Sequence, residues 1–252
     1  MNYGIRTWIG ILLFHWLLSS GLAEPVDGWS EDSASPNHNE VAAPAVITVT
    51  VKDLTPKFLA FYQAAEKERA TPERRWELWK TLYGFAAVPP TPEGSAIARN
   101  LLDKAWLRYP AALTQIRAGA SEMTPRPDRI LLSVSNLLRP EKPGSVRLLV
   151  YVGGFEDSAF TFAHDGHVTT AIPIEMDPKK RALFMAHELT HAVHINMGSF
   201  SGGWQRTIGA TVLTEGLAMR VAQKLFPRHA DKEFIEITPG WLNQATAHVE
   251  KS

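Results

Sequence analysis

His187-Glu188-Leu189-Thr190-His191 gathers two imidazoles and a carboxylate into five residues. In a helix, residues four apart lie on one face about one turn apart, so His187 and His191 can present two nitrogens to one ion. Glu188 lies beside them, where a carboxylate can take a proton from water. This H-E-x-x-H spacing supplies what zinc-dependent hydrolysis needs, two metal ligands and a general base. A core helix with two hydrogen-bonded histidines is the competing account of the same stretch. Catalytic zinc takes three protein ligands and keeps one position open, so a third donor is the discriminating feature.

Glu215 is the expected third ligand. Ser201-Gly202-Gly203 reads as a flexible connection, followed by a predicted helix over 206–226 that Pro227 stops. On that helix Glu215 shares a face with Ile208, Val212, Met219, Ala222 and Phe226. A carboxylate inside an apolar stripe costs several kcal/mol unless a cation or metal compensates it. An ion pair with Arg206 or Arg220 would serve the same end. Gly216 and Ala218 have small side chains that predict close packing on the first helix. His194 is the rival ligand, but it stands about 4.5 Å of rise beyond His191, awkward for the same ion. The three-histidine pattern H-E-x-x-H-x-x-G-x-x-H needs a glycine at 194 and a histidine at 197, where His194 and Met197 stand. His194 is therefore expected to line the cleft.

The string from His187 to His191, followed by Thr214-Glu215-Gly216-Leu217-Ala218, resembles the gluzincin metallopeptidases, whose third ligand is a glutamate on a following helix. The nearest likeness is to bacterial predicted zinc-dependent proteases with a Glu-Gly-Leu-Ala element after the first motif. The resemblance spans roughly residues 145–227. It implies a zincin-like fold, peptide hydrolysis, one Zn2+ per chain on His187, His191 and Glu215, and Glu188 as the base. The chain departs from the better-known gluzincins, which draw an oxyanion-stabilising Tyr or His from a larger C-terminal subdomain. Only 37 residues follow Glu215, and no Tyr is among them. His194, Arg220, His229, His248 and Asn243 are the remaining cleft or oxyanion candidates.

A site of this kind needs elements that hold it still. Asp177-Pro178 reads as an N-cap with first-turn proline and Gly198 as a stop, which predicts a helix over 179–197. Leu183, Ala186, Thr190, Val193 and Met197 form one stripe on it; Phe184, His187, Glu188, His191 and His194 form another. A helix apolar on nearly all sides is a buried one. Ahead of it, 146–152 reads as a buried strand, and 159–164 and 167–175 flank Asp165-Gly166, a two-residue hairpin signal. One of these strands is expected at the cleft edge, where an extended peptide can add to the sheet. Farther upstream, 46–51 is a β-branched run and a predicted strand. Thr55-Pro56, Thr71-Pro72 and Thr91-Pro92 each read as a cap plus first-turn proline, so helices fill 55–139. Trp76, Trp79, Leu82 and Tyr83 recur at helical spacing and are assigned to packing.

The expected fold class is α+β: a helical N-terminal half over 46–140 and a zincin-like catalytic region over 141–252 with a small mixed sheet. With 252 residues, 45% of them apolar, the chain can bury one sizeable core. Its 26 basic and 26 acidic residues cancel, and no basic block is present, so nucleic acid is not an expected partner. The absence of cysteine excludes disulfides, thiolate zinc sites and a cysteine nucleophile. Residues 1–23 read as a signal peptide, with Arg6, a short apolar core over 8–18, and small residues before the expected cut after Ala23. Residues 24–45, rich in Ser, Asn and Pro, read as a flexible leader. The sequence thus predicts an exported zinc metallopeptidase, periplasmic or extracellular, acting on peptide or protein, with no membrane span after cleavage. Two alternatives are a zincin-fold binding protein with structural zinc, and a zinc amidase acting on a non-peptide amide such as a cell-wall component.

Overall fold

Strand β1 (Ile47–Asp53) opens the fold and is followed by five helices: α1 (Thr55–Glu68), α2 (Pro72–Leu82), α3 (Pro92–Ala105), α4 (Tyr109–Ala118) and α5 (Pro127–Leu138). Then come β2 (Gly144–Tyr151), β3 (Phe160–His164), β4 (His167–Pro173), α6 (Pro178–Asn196) and α7 (Ile208–Leu225). This computed structural model describes residues 45–198, 207–230 and 233–234. The signal segment, nearly all of the leader, Arg206, Asn243 and His248 lie outside the described residues. Seven helices and a four-stranded sheet make the described chain a mixed α+β fold. None of the described helices is long and apolar enough to cross a membrane.

Proline in the first turn starts each of α1 to α6, where its missing N–H costs nothing. Thr71 and Thr91 cap α2 and α3 as predicted, their hydroxyls accepting from Arg74 N at 3.3 Å and Gly94 N at 3.1 Å. Thr55 does not act as a cap. It is buried inside the first turn of α1, and its own N–H donates to Asp53 Oδ1 at 2.8 Å. The other oxygen of Asp53 accepts from Ala120 N at 2.8 Å, so one charged acceptor fastens two segments where a hydroxyl would serve one. The aromatic stripe on α2 packs through Trp79 and Tyr83, with Trp76 stacked on Trp79 at 4.8 Å, but Leu82 turns outward.

The strands lie in the order β1-β2-β4-β3. β1, β2 and β4 are parallel, with Val49 opposite Val146 and Leu148 opposite Thr170; β3 runs antiparallel on the outer side of β4. Parallel neighbours need a long crossover, and the five-helix segment provides it between β1 and β2. Asp165 and Gly166 have φ of +48° and +72°, the left-handed pair that a two-residue hairpin demands. α5 packs on β1, α6 packs across β2, β3 and β4, and α7 packs on α6. Two buried hydroxyls tie the N-terminal helices to the end of β2: Tyr83 OH lies 2.8 Å from both N and O of Val152, and Tyr109 OH donates to Gly153 O at 3.0 Å. One continuous apolar core, from Phe58 and Phe61 through Val146 and Leu148 to Leu189 and Val193, runs through both halves of the sequence.

Candidate metal centre

α6 carries the two histidines, and its start is fixed by Asp177. That side chain accepts from Lys179 N at 2.9 Å and Lys180 N at 3.1 Å, and Pro178 follows it directly. Ala182, Met185, Ala186, Leu189, Ala192 and Val193 are buried around the helix, which fixes its rotation about its own axis. The remaining face presents His187 and His191. Met197, expected on the buried stripe, lies past the last turn and is exposed, and Gly198 follows at φ +75°.

α7 brings the third donor. It starts at Ile208 rather than 206, because the Thr207 hydroxyl caps it by accepting from Ala210 N at 3.2 Å. Its buried seam is Thr214, Ala218, Val221 and Ala222. The predicted stripe is therefore out of phase by about one position: Ile208 and Val212 are 60% and 67% exposed, and the Glu215 side chain is 33% exposed. The seam forms where the side chains are small, at Thr214 and Ala218, and Glu215 flanks it. Gly216 plays no part in the packing expected of it, since a Cβ placed there meets nothing within 4 Å.

His187 Nε2 stands 3.1 Å from Glu215 Oε2, His191 Nε2 stands 3.2 Å from the same oxygen, and the two Nε2 atoms are 3.1 Å apart. Two N–H groups aimed at one oxygen can satisfy that oxygen, yet they leave the two nitrogens crowded against each other. Three lone pairs converging on one cation remove that conflict. Tetrahedral zinc with nitrogen and oxygen ligands at about 2.0–2.1 Å keeps its donors roughly 3.3 Å apart, so the triangle fits such an ion. The electrostatics agree. Burial alone would raise the Glu215 carboxyl, but its bonds to His187 and His191 hold it well below the usual range. Burial opposes charge on His187, and the Glu215 bond with the charges of Glu188 and Glu215 outweighs it, raising the imidazole above its ordinary value. An ionised glutamate facing two imidazoles can compensate one positive charge there, whether a proton on His187 or a bound cation.

Glu188 is 8% exposed and occupies the turn between the two histidines. His194 lies on the same helix but outside the three-donor group; burial and the neighbouring His191 keep it on the neutral side. Arg220 is exposed and donates to Gln223 Oε1 at 3.0 Å, so it is neither the ion-pair partner of Glu215 nor part of the group. His229 Nδ1 sits 2.9 Å from Glu233 Oε2, engaged away from the three donors. His164 and His167 close the β3–β4 hairpin, and His164 pairs with Asp165 at the exposed tip, in keeping with ordinary turn polarity.

Two features escaped sequence reasoning. Thr161 on β3 donates from its hydroxyl to the backbone oxygen of Glu188 at 2.9 Å, and a threonine in a strand signals only β-propensity. Glu175, two residues past β4, follows the apolar run from Ala171 to Ile174, the same kind of signal that singled out Glu215. Its Oε1 accepts from Gly153 N at 3.0 Å and Phe155 N at 3.4 Å, holding the connection between β2 and β3. The chain matches no family model, no curated protein and no solved structure.

Proposed function

We propose that the chain is a zinc-dependent metallopeptidase with a zincin-like arrangement. The observation that carries this reading is the convergence of ligand atoms of His187, His191 and Glu215 within 4.8 Å of one another, with Glu188 between the histidines. Zinc held there would supply a water of near-neutral pKa and a polarised carbonyl. Glu188 takes the proton from the attacking water and passes it to the leaving amine. His187, His191 and Glu215 would orient the reacting centre, with Glu188 and His191 buried on its inner side and Glu215 partly open to solvent.

The sheet favours peptides over a small amide. The pair His164–His167 closes a two-residue hairpin and is a hydrogen-bonded pair, so the alternation leaves the backbone groups of Thr161 and Ala163 facing away from β4. β3 is the edge strand next to α6, and an extended substrate can add to it as a further strand. Residues 1–23 support action outside the cytoplasm. The binding-protein alternative draws on the oxyanion side, because Arg220 and His229 are engaged elsewhere. The two readings part on a peptide library incubated with the zinc-loaded protein. The peptidase reading predicts cleavage, and predicts that Glu188→Gln keeps zinc while turnover falls about 100-fold or more. Cleavage that survives in Glu188→Gln, or zinc-loaded protein that cleaves nothing, rejects it.

A further inference from the structure

β3 and α6 meet at a chain of hydroxyl groups that ends on the proposed general base. Thr161 Oγ1 donates to Glu188 O at 2.9 Å and lies 2.9 Å from Thr170 Oγ1. A carbonyl oxygen only accepts, so the single hydroxyl proton of Thr161 is committed to Glu188, and the proton of the second bond comes from Thr170. Thr170 is fully buried and is the cross-strand partner of Thr161, which fixes its direction. Glu188 is in the middle of α6, where a carbonyl oxygen ordinarily accepts from the N–H four residues on. The threonine takes the second lone pair. A bond from a strand side chain to a helix carbonyl sets two things together, the rotation of the helix and its distance from the strand. The backbone of the same Thr161 faces the outer edge, where a peptide would lie.

We propose that Thr161, oriented by Thr170, is a positioning residue for hydrolysis: it fixes the gap between the edge strand and the Glu188 backbone. This rests on the peptidase reading. For sheet stability alone a pair of valines would serve as well, since both residue types suit a pleated, buried face. The hydroxyls add geometry. A misplacement of about 1 Å between a held substrate and a catalytic group costs on the order of 100-fold in rate.

The test compares Thr161→Val and Thr161→Ser with the wild type on a peptide that the wild type cleaves, with zinc content and melting temperature measured alongside. The expected result is a kcat lowered about 10-fold or more in Thr161→Val, with KM within about 3-fold and zinc content unchanged. Thr161→Ser, which keeps the hydroxyl, stays within about 3-fold of wild-type kcat. A merely structural role would lower the folded fraction without changing kcat per zinc-loaded molecule. If Thr161→Val does not fold, Thr161→Ala against Thr161→Ser carries the same comparison. Full kcat without the hydroxyl, or an equal loss in Thr161→Ser, overturns the inference and leaves the peptidase reading standing. Zinc-loaded wild type that cleaves nothing overturns both.

Discussion

Glu188, Glu215 and Glu175 are all at least partly buried, and each meets different surroundings. Glu215 faces two imidazoles and is held ionised; Glu188 is buried in the helical turn between the two histidines. No cation among the described residues is bonded to Glu175. Burial raises its carboxyl to about 7, the nearby Glu156 charge adds to the rise, and the N–H groups of Gly153 and Phe155 oppose it. The folded chain therefore holds a proton on Glu175 between about 4.5 and 7 that the unfolded chain has released. Stability from this group is fully present below about pH 4.5 and declines as pH rises to about 7, by on the order of 3 kcal/mol at most. Glu175→Gln keeps the shape and the Oε1 acceptor but cannot titrate. Denaturant unfolding at pH 5 and pH 8 should show the wild type losing more stability than the variant over that interval. Equal losses would mean that Glu175 is already ionised in the fold at pH 5.

At the level of elements, legibility followed local signals. α6 was readable because its cap, its proline and its apolar residues all lie within the helix, and Asp177, Pro178 and Gly198 stand where they were expected. The hairpin was readable because only a pair such as Asp165-Gly166 tolerates two left-handed residues in a row. The phase of α7 was not. Its pattern offers two apolar stripes, and the choice between them is made by α6 and α5, which lie outside the helix and beyond the reach of its own pattern. The same limit hid the role of Asp53, whose second partner, Ala120, is 67 residues away. Helix α7 also carries two glycines, Gly209 and Gly216, with no close neighbour among the described residues. Because a Cβ at Gly216 meets open space, Gly216→Ala should stabilise the protein by roughly 0.5–1 kcal/mol through the unfolded chain and leave zinc bound. A fall in the melting temperature would show that α7 needs the glycine for close approach after all.

In the molecule as a whole, the division of the sequence near residue 140 is not a division of the fold. β1 lies against β2 over seven residue pairs, and the hydroxyls of Tyr83 and Tyr109 hold the end of β2. The N-terminal helices thereby buttress the sheet whose edge strand meets α6. Removing residues 46–140 would strip β1 from β2 and leave the backbone groups on that side of β2 without their strand partner. The chain has no cysteine, and the candidate donors are two imidazoles and one carboxylate brought together from two helices. The most direct test is the zinc content of the purified protein after reconstitution, measured beside Glu215→Ala. The account predicts one zinc per chain in the wild type and an affinity weakened roughly 100-fold or more in the variant, because one of three protein ligands is gone. No zinc in the wild type, or undiminished binding in Glu215→Ala, would contradict it.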